Sequence, residues 1–202
     1  MEGKDWLVTS DGKYQACKSP RAWDLITENY RLYRFLTELE DILKKQLEEP
    51  NYLAEIRQLV RRLLVNSYWI KTQHPEPDTK TGTSVRLLYD ELGFPFTVQT
   101  VTFTKGTQSN IHNHGTWGIV AVLKGQEKNT IWKRNPTVEH PDKIETVGEI
   151  ILNPGDIVSF APAEIHSVEA IEEPTVTFNL YGETKSKERF EFDTVNHTAK
   201  NF

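Results

Sequence analysis

Two segments near the start of the chain show the spacing of amphipathic helices. In the first, leucines recur at intervals of three and four, at Leu32, Leu36, Leu39, Leu43 and Leu47. Residues spaced in this way share one helix face. Ser19-Pro20 upstream has the chemistry of an N-cap followed by a first helical residue. We therefore predict helical structure from about residue 19.

The second helical segment follows Pro50. Its apolar stripe comprises Leu53, Ile56, Val60 and Leu63. Three arginines, Arg57, Arg61 and Arg62, fall on or beside the opposite side, so we predict that they form a solvated face. Residues 72–82 are rich in Pro, Thr and charge, which is typical of a loop. The helical part is thus predicted over residues 19–66.

From residue 96 onward the pattern changes to short β-branched and aromatic runs separated by Gly, Pro and Asn. These runs are FTVQTVTFT, WGIVAVL, NTIWKR, EIIL, DIVSF, TVTFNLY and RFEF. Many short strands without intervening helices indicate a sandwich or barrel. We predict a mainly β protein with a barrel over about residues 84–195 and N-terminal α-helices, in one domain spanning residues 1–202.

Charge and hydropathy narrow the choice of partner. The net charge is −5, with both signs interspersed, which argues against a nucleic-acid or anionic-membrane surface. No run approaches the roughly 20 apolar residues that span a bilayer, and the N-terminus shows no secretory apolar segment. We expect a cytoplasmic protein with a small-molecule partner. Cys17 is the one cysteine, so no intramolecular disulfide can form, and we expect no function for its thiol.

Three histidines form a candidate metal site. His112 and His114 precede an apolar strand, and on a strand residues i and i+2 share one face. His166 follows a Pro-Gly turn, a strand and a kink that deliver it to the start of another strand. Three such side chains can complete a facial set around one divalent ion. His140 and His197 lie in turn-rich or terminal sequence, and we assign them no role. Alternatively, His112 and His114 face solvent and His166 caps a turn.

These residues resemble the two motifs of the cupin family. Gly106, His112, His114 and Gly125 match the first motif, and Pro154-Gly155-Asp156 with His166 resembles the second. The resemblance covers roughly half of the chain and implies a double-stranded β-helix barrel. Many cupins carry a glutamate ligand four residues after the second histidine, where this chain has Gly118. The resemblance therefore implies a site of three histidines.

Three neutral imidazoles leave a bound ion its full charge and half of an octahedral shell open, which suits an anionic bidentate substrate together with O2. Zn(II) also accepts three histidines. Within the cupins the chain looks most like the cysteine dioxygenase branch of the thiol dioxygenases. Arg86 lies 26 residues before His112, where that family has the arginine that binds the substrate carboxylate. Tyr181 ends a strand that resembles the one bearing the family's active-site tyrosine. The likeness implies Fe(II) as cofactor.

The strand that ends at Tyr181 alternates polar and apolar residues. Thr177, Asn179 and Tyr181 occupy one face, and Val176, Phe178 and Leu180 the other. A polar face inside a small barrel is costly unless it serves a site, so we predict that the polar face lines the metal cavity and contacts the substrate. The same alternation also fits a strand with one face in solvent.

The chain departs from the family at two places. Trp117-Gly118-Ile119 stands where animal members have the cysteine that cross-links to the tyrosine, and Asn179 replaces the histidine of the family's Ser-His-Tyr set. The resemblance implies an Fe(II)-dependent dioxygenase that converts a small thiol carboxylate to its sulfinate with O2, and because of these departures we expect 3-mercaptopropionate as well as cysteine as a candidate substrate. The alternatives are another mononuclear metal cupin enzyme and a non-catalytic cupin that binds a small ligand. The oligomeric state is not predicted.

Overall fold

The computed structural model describes residues 3–26, 30–45, 47–93 and 95–202. Its strands are β1 (Asp5–Val8), β2 (Tyr14–Cys17), β3 (Thr83–Tyr89), β4 (Phe96–Phe103), β5 (Ile111–His112), β6 (Gly118–Lys124), β7 (Glu127–Arg134), β8 (Ile144–Leu152), β9 (Ile157–Phe160), β10 (Ile165–Ala170), β11 (Thr175–Gly182), β12 (Phe190–Asp193) and β13 (Thr198–Asn201). Its α-helices are α1 (Leu32–Lys44), α2 (Glu49–Asn66) and α3 (Tyr68–Thr72), with 3-10 turns at Ala22–Leu25 and Ser186–Glu188.

The strands form two sheets that face each other. One has the order β2-β1-β9-β6-β11-β4-β3, and the other β13-β12-β5-β10-β7-β8. From β4 to β11 the chain passes from sheet to sheet at each step except the β7–β8 hairpin, which is the path of a double-stranded jelly roll. The predicted mainly β barrel class is confirmed, and each of the seven apolar runs forms a strand at its predicted place.

The helices pack on the outer face of the first sheet. The interface is apolar and fully buried, and includes Phe35, Leu39, Leu53, Ile56 and Leu63 from the helices and Val98, Phe178 and Leu180 from the sheet. Phe35 meets Phe178 edge to face at a ring-centroid distance of 6.3 Å. The apolar stripe predicted for α2 is thus the face that this helix buries. The stripe predicted for α1 is only partly right: α1 buries Phe35, Leu39 and Ile42, and the other predicted leucines within it, Leu32, Leu36 and Leu43, are partly buried beside them. The helix start was wrong, since α1 begins at Leu32 and Leu47 lies beyond its end.

The solvated arginine face is a second wrong prediction. Arg57 and Arg61 are 5% and 9% exposed, and both pair with the buried Asp5. Arg57 also donates to Ser159 Oγ at 2.5 Å, and Arg61 to the Gly155 carbonyl at 2.9 Å. The missing element was β1, which pairs in parallel with β9 and places Asp5 under α2. A charged pair can be buried when each member is hydrogen-bonded.

The inside of the barrel divides into an apolar end and a polar end. The apolar end is a buried cluster of Val8, Val120, Val122, Ile131, Ile150, Leu152, Val158 and Phe160. The polar end begins at His166, whose ring lies edge-on to Phe160 at a centroid distance of 4.5 Å. The apolar cluster therefore forms the floor beneath the histidines. None of the helices in the described part of the chain is long and apolar enough to cross a membrane.

Candidate metal centre

Two neighbouring strands and the turn after one of them bring the three predicted histidines together. His112 ends β5 and pairs in register with His166 of β10. β5 contains only two residues, so His114 follows the strand rather than lying on it as predicted. Its ring still turns to the same point: the ring centroids lie 4.8 Å apart for His112 and His114, 4.9 Å for His112 and His166, and 5.1 Å for His114 and His166.

The ring nitrogens have the spacing of ligands on one ion. The three ligand atoms all lie within 4.8 Å of one another, and Nε2 of His114 is 3.1 Å from Nε2 of His166. Two nitrogens that each bind one ion at about 2.1 Å and at a right angle would be about 3.0 Å apart. Nδ1 of His112 contacts the Asn110 carbonyl at 2.8 Å, which leaves its Nε2 free. The group can therefore hold a divalent metal ion.

The protein environment keeps these imidazoles neutral. Burial lowers the pKa of His112, and it holds the pKa values of His114 and His166 well below the usual range, with the neighbouring histidines acting in the same direction. A histidine binds a metal ion through its neutral form. The three side chains are thus in the ligand-competent state at neutral pH without having to release protons.

The polar face of β11 points into the barrel. Thr177 and Asn179 are 1% and 4% exposed, so the interpretation that places this face in solvent is wrong. The Tyr181 hydroxyl donates to Asn179 Oδ1 at 3.1 Å, and Asn179 Nδ2 donates to Thr177 Oγ1 at 2.8 Å. The Tyr181 ring packs on the His114 ring at a centroid distance of 4.6 Å. This hydrogen-bonded chain fixes the phenol beside the histidines.

Gly118, four residues after His114, leaves the space beside the histidines to the Tyr181 ring. A Cβ atom at this position would lie 3.0 Å from both Cδ1 and Cε1 of Tyr181. Since Gly118 and Tyr181 are paired across β6 and β11, a longer side chain at 118 and the present place of the Tyr181 ring exclude each other. The tyrosine thus occupies the side of the group from which a fourth protein ligand would come.

Arg86 does not reach this group, which corrects the prediction of a carboxylate-binding role. Arg86 and Phe178 both pair with Thr100, so Arg86 lies on the outer face of the sheet, opposite to Tyr181. Its side chain is exposed, and Nη1 donates to the Gln73 carbonyl at 3.1 Å. The spacing to His112 was right for the strand but did not determine which face carries the side chain.

Arg189 supplies a cation to the site instead. Its positive charge contributes, after burial, to the lowered pKa values of His112 and His114. The guanidinium stacks on the Phe202 ring at 4.1 Å, and the same Phe202 ring lies 6.3 Å from His112. Nε of Arg189 is buried and has no hydrogen-bond partner among the described residues. A guanidinium placed in this way is available to an anion at the histidines.

The segment from His112 to β6 holds the backbone on both sides of Arg189. Asn113 Nδ2 donates to the Glu188 carbonyl at 2.9 Å, and Asn113 Oδ1 accepts from the Phe190 amide at 2.7 Å. Gly115 has φ +62°, and a Cβ there would lie 2.8 Å from the Lys185 carbonyl oxygen. Arg189 was not predicted as a site residue, although it opens the predicted run RFEF, because four alternating residues do not show which face lies inside the barrel. Asn113 and Gly115, next to the ligands, were a further signal.

Two buried carboxyl groups, Glu127 and Glu164, lie in the surroundings of Tyr181. Glu127 lies at the start of β7, where burial raises its pKa to about 7 even though Asn129 donates to Oε1 at 2.8 Å. Burial also holds the pKa of Glu164, just before β10, well above its usual range. Burial first, and then the fields of these carboxylates, raise the pKa of Tyr181, while Arg189 lowers it. The phenol therefore stays protonated.

No protein-family model matches the chain. Among solved structures, an oxalate oxidase in complex with glycolate aligns at 16% identity and a TM-score of 0.42 over 55% of this chain and 56% of its own. KdgF from Halomonas sp. aligns at 16% identity and a TM-score of 0.42, over 56% of this chain and 92% of its own. A cupin superfamily protein from Desulfitobacterium hafniense aligns at 12% identity and a TM-score of 0.41, over 55% of this chain and 92% of its own. The chain thus spans little more than half of the oxalate oxidase, and the chemistry of the site rests on its own residues.

Proposed function

We propose that this protein is an Fe(II)-dependent thiol dioxygenase that converts a small thiol carboxylate, cysteine or 3-mercaptopropionate, to its sulfinate. The observation that carries the proposal is the convergence of three neutral histidines with a guanidinium whose Nε lacks a partner among the described residues. A hydrogen-bonded phenol lies on the remaining side. Such a set suits an anionic substrate that binds a metal ion through sulfur and the protein through its carboxylate.

A bound Fe(II) ion would supply adjacent open positions for a thiolate and O2. The reaction balances without another reductant, because R–SH and O2 together give R–SO2H. His112, His114 and His166 would hold the ion, and Gly118 contributes no fourth side-chain ligand, which keeps half of the shell open. The protein's own contribution is to orient the thiol and to exclude other groups from the shell.

Arg189 and Tyr181 would each orient a different part of the substrate. Arg189 would pair with the substrate carboxylate, since its fork can make two charge-assisted hydrogen bonds. The Tyr181 hydroxyl already donates to Asn179, so its oxygen is free to accept a hydrogen bond from the substrate. Thr177 holds the Asn179 amide from the other side. This arrangement fixes the direction of the phenol before the substrate arrives.

A second candidate is another mononuclear cupin enzyme acting on an anionic substrate without sulfur. The position of Arg86 on the outer face favours it, because the cysteine dioxygenase likeness uses an arginine at that place. The two candidates share the metal ligands and differ in the atom that is oxidised. Sulfinate formation separates them.

The test measures O2 uptake and sulfinate by the Fe(II)-loaded protein with cysteine, 3-mercaptopropionate and cysteamine. We expect uptake with one of the two carboxylates, and a kcat/KM for cysteamine lower by about ten- to a hundredfold, because cysteamine lacks the group that pairs with Arg189. His166→Ala should lose most of its iron and all uptake. His140→Ala, a matched control at a histidine outside the group, should retain both.

Each contrary result eliminates one part of the proposal. Full iron occupancy in His166→Ala would show that this histidine is not a ligand. Iron binding without O2 uptake with any thiol would leave the second candidate or a non-catalytic binding protein. Equal rates with cysteamine and the carboxylates would remove Arg189 from substrate binding.

A further inference from the structure

Glu164 is a buried carboxyl group next to the candidate metal centre. It lies in the turn that leads from β9 into β10 and is 1% exposed. Neither of its carboxylate oxygens has a hydrogen-bond partner among the described residues. Leaving a buried polar atom without a hydrogen-bond partner is destabilising, and more so if the atom is charged. A group this costly is therefore expected to have a partner in the working protein.

A group able to pair with it is the second ring nitrogen of His166, a candidate metal ligand. Oε2 of Glu164 is 3.7 Å from Nδ1 of His166, and this Nδ1 is also buried without a partner among the described residues. The other nitrogen of the same ring, Nε2, points toward His114 at 3.1 Å. The imidazole thus lies between the carboxylate on one side and the ligand group on the other.

We propose that Glu164 is a positioning residue, which accepts a hydrogen bond from Nδ1 of His166 and so fixes the tautomer and direction in which Nε2 binds the metal ion. The inference rests on the metal site of the proposed function. Metal-bound histidines commonly donate their second N–H to a carboxylate. The present separation exceeds hydrogen-bond length, and we expect it to shorten when the ring is coordinated, because coordination makes Nδ1–H a stronger donor.

The proposal predicts opposite effects on metal affinity and on the stability of the metal-free protein. Glu164→Met keeps the approximate side-chain volume but removes the acceptor. Metal affinity should fall about ten- to a hundredfold, while the melting temperature of the metal-free protein should stay the same or rise, because an unpaired buried carboxyl group is removed. Glu164→Gln retains an acceptor oxygen and should lose less affinity than Glu164→Met. A merely structural residue would lower stability and affinity together.

The experiment titrates the metal-free full-length protein with Co(II) against a competing chelator, without thiol or O2, and records the visible spectrum of the bound ion. Glu127→Gln is the matched control, since Glu127 is a second buried carboxyl group in the same barrel, 2% exposed, and is paired with Asn129 rather than with a histidine. We expect Glu127→Gln to bind Co(II) within about twofold of wild type. Glu164→Met should in addition change the ligand-field bands, because His166 is no longer held in one orientation.

Three results with the variants would overturn the proposal. The first is Co(II) affinity in Glu164→Met equal to that of wild type, and the second is an equal loss in Glu127→Gln. The third is a lowered melting temperature in both metal-free Glu164 variants. Failure of wild type to bind Co(II) would also remove it, together with the metal site. If the variants show the expected order of Co(II) affinities but the Fe(II)-loaded protein oxidises no thiol, the proposed reaction is overturned and the role of Glu164 is supported.

Discussion

The two faces of β11 are equally buried but carry opposite chemistry. On the outer face Val176, Phe178 and Leu180 are at most 1% exposed, and Phe178 and Leu180 pack under the helices. On the inner face Thr177 and Asn179 are at most 4% exposed, yet both are polar. The outer face needs only apolar contact. The inner face requires each polar group to find a partner, which it does in a chain that ends at Tyr181.

The comparison shows what burial of a polar strand face means in this protein. Polar residues that served only the barrel could be replaced by apolar ones without loss. Beside the histidines they form hydrogen bonds that orient the phenol. The two arginines are separated in the same way, since Arg86 lies on the outer face, whereas Arg189, just before β12, places its charge near His112 and His114. Outer substitutions should therefore change stability, and inner ones should change function.

The largest expected effect concerns the outer face. Phe178→Ala removes a fully buried ring that packs edge to face on Phe35, and such truncations typically cost about 3–5 kcal/mol. We expect that loss in the free energy of unfolding, measured with urea, and an unchanged iron content per folded molecule. A variant that unfolds like wild type, or that loses iron while folded, would contradict the separation of the two faces.

Periodicity predicted most of this fold because its signals are local. The alternation in β11 and the leucine spacing of α1 follow from which residues one face must bury. β1 could not be found in this way, since it is short, and it is held by pairing in parallel with β9, about 150 residues away. Arg57 and Arg61 were misplaced for the same reason, because their partner Asp5 lies on that strand.

The residues of the candidate site also fall into those that a local sequence pattern could predict and those that it could not. The histidines could be predicted because the turn and strand residues around them are themselves informative. Strand parity for Arg86 could not be read from its spacing to His112, because one register shift moves every side chain to the other face; only the pairing of Arg86 with Thr100 reveals the outer face. Arg189 and Glu164 act through contacts with distant segments, which no local pattern encodes.

The second-largest expected effect is that of replacing Arg189, compared with replacing Arg86. Arg189→Ala should lower kcat/KM for the carboxylate thiol about ten- to a hundredfold, the equivalent of about 1.5–3 kcal/mol for a charge-assisted pair, and should abolish the preference over cysteamine. Arg86→Ala, its matched control, should stay within about twofold of wild type. Arg189→Lys keeps the charge but not the fork and should fall between. Loss of activity in Arg86→Ala with normal Arg189→Ala would reverse the assignment of the two faces.

The smallest expected effect concerns the Tyr181 hydroxyl, which ends the hydrogen-bonded chain from Thr177 through Asn179. Tyr181→Phe keeps the ring that packs on His114 and covers Gly118, and removes only the hydroxyl. Iron content should therefore be unchanged, while kcat/KM should fall about tenfold, near 1.4 kcal/mol in transition-state terms. The effect is smaller than that of Arg189→Ala because a neutral hydrogen bond is lost rather than a charged pair.

The control for this variant is Tyr68→Phe, at a tyrosine that is 77% exposed on α3, which should show wild-type kinetics. O2 uptake at several thiol concentrations separates kcat from KM. A loss confined to KM would mean that the hydroxyl contributes only to binding, because an interaction equal in the ground and transition states leaves kcat unchanged. Unchanged kinetics in Tyr181→Phe would show that the inner face of β11 ends in a packing residue like those of the outer face, and the functional difference between the two faces would then rest on the histidines and Arg189 alone.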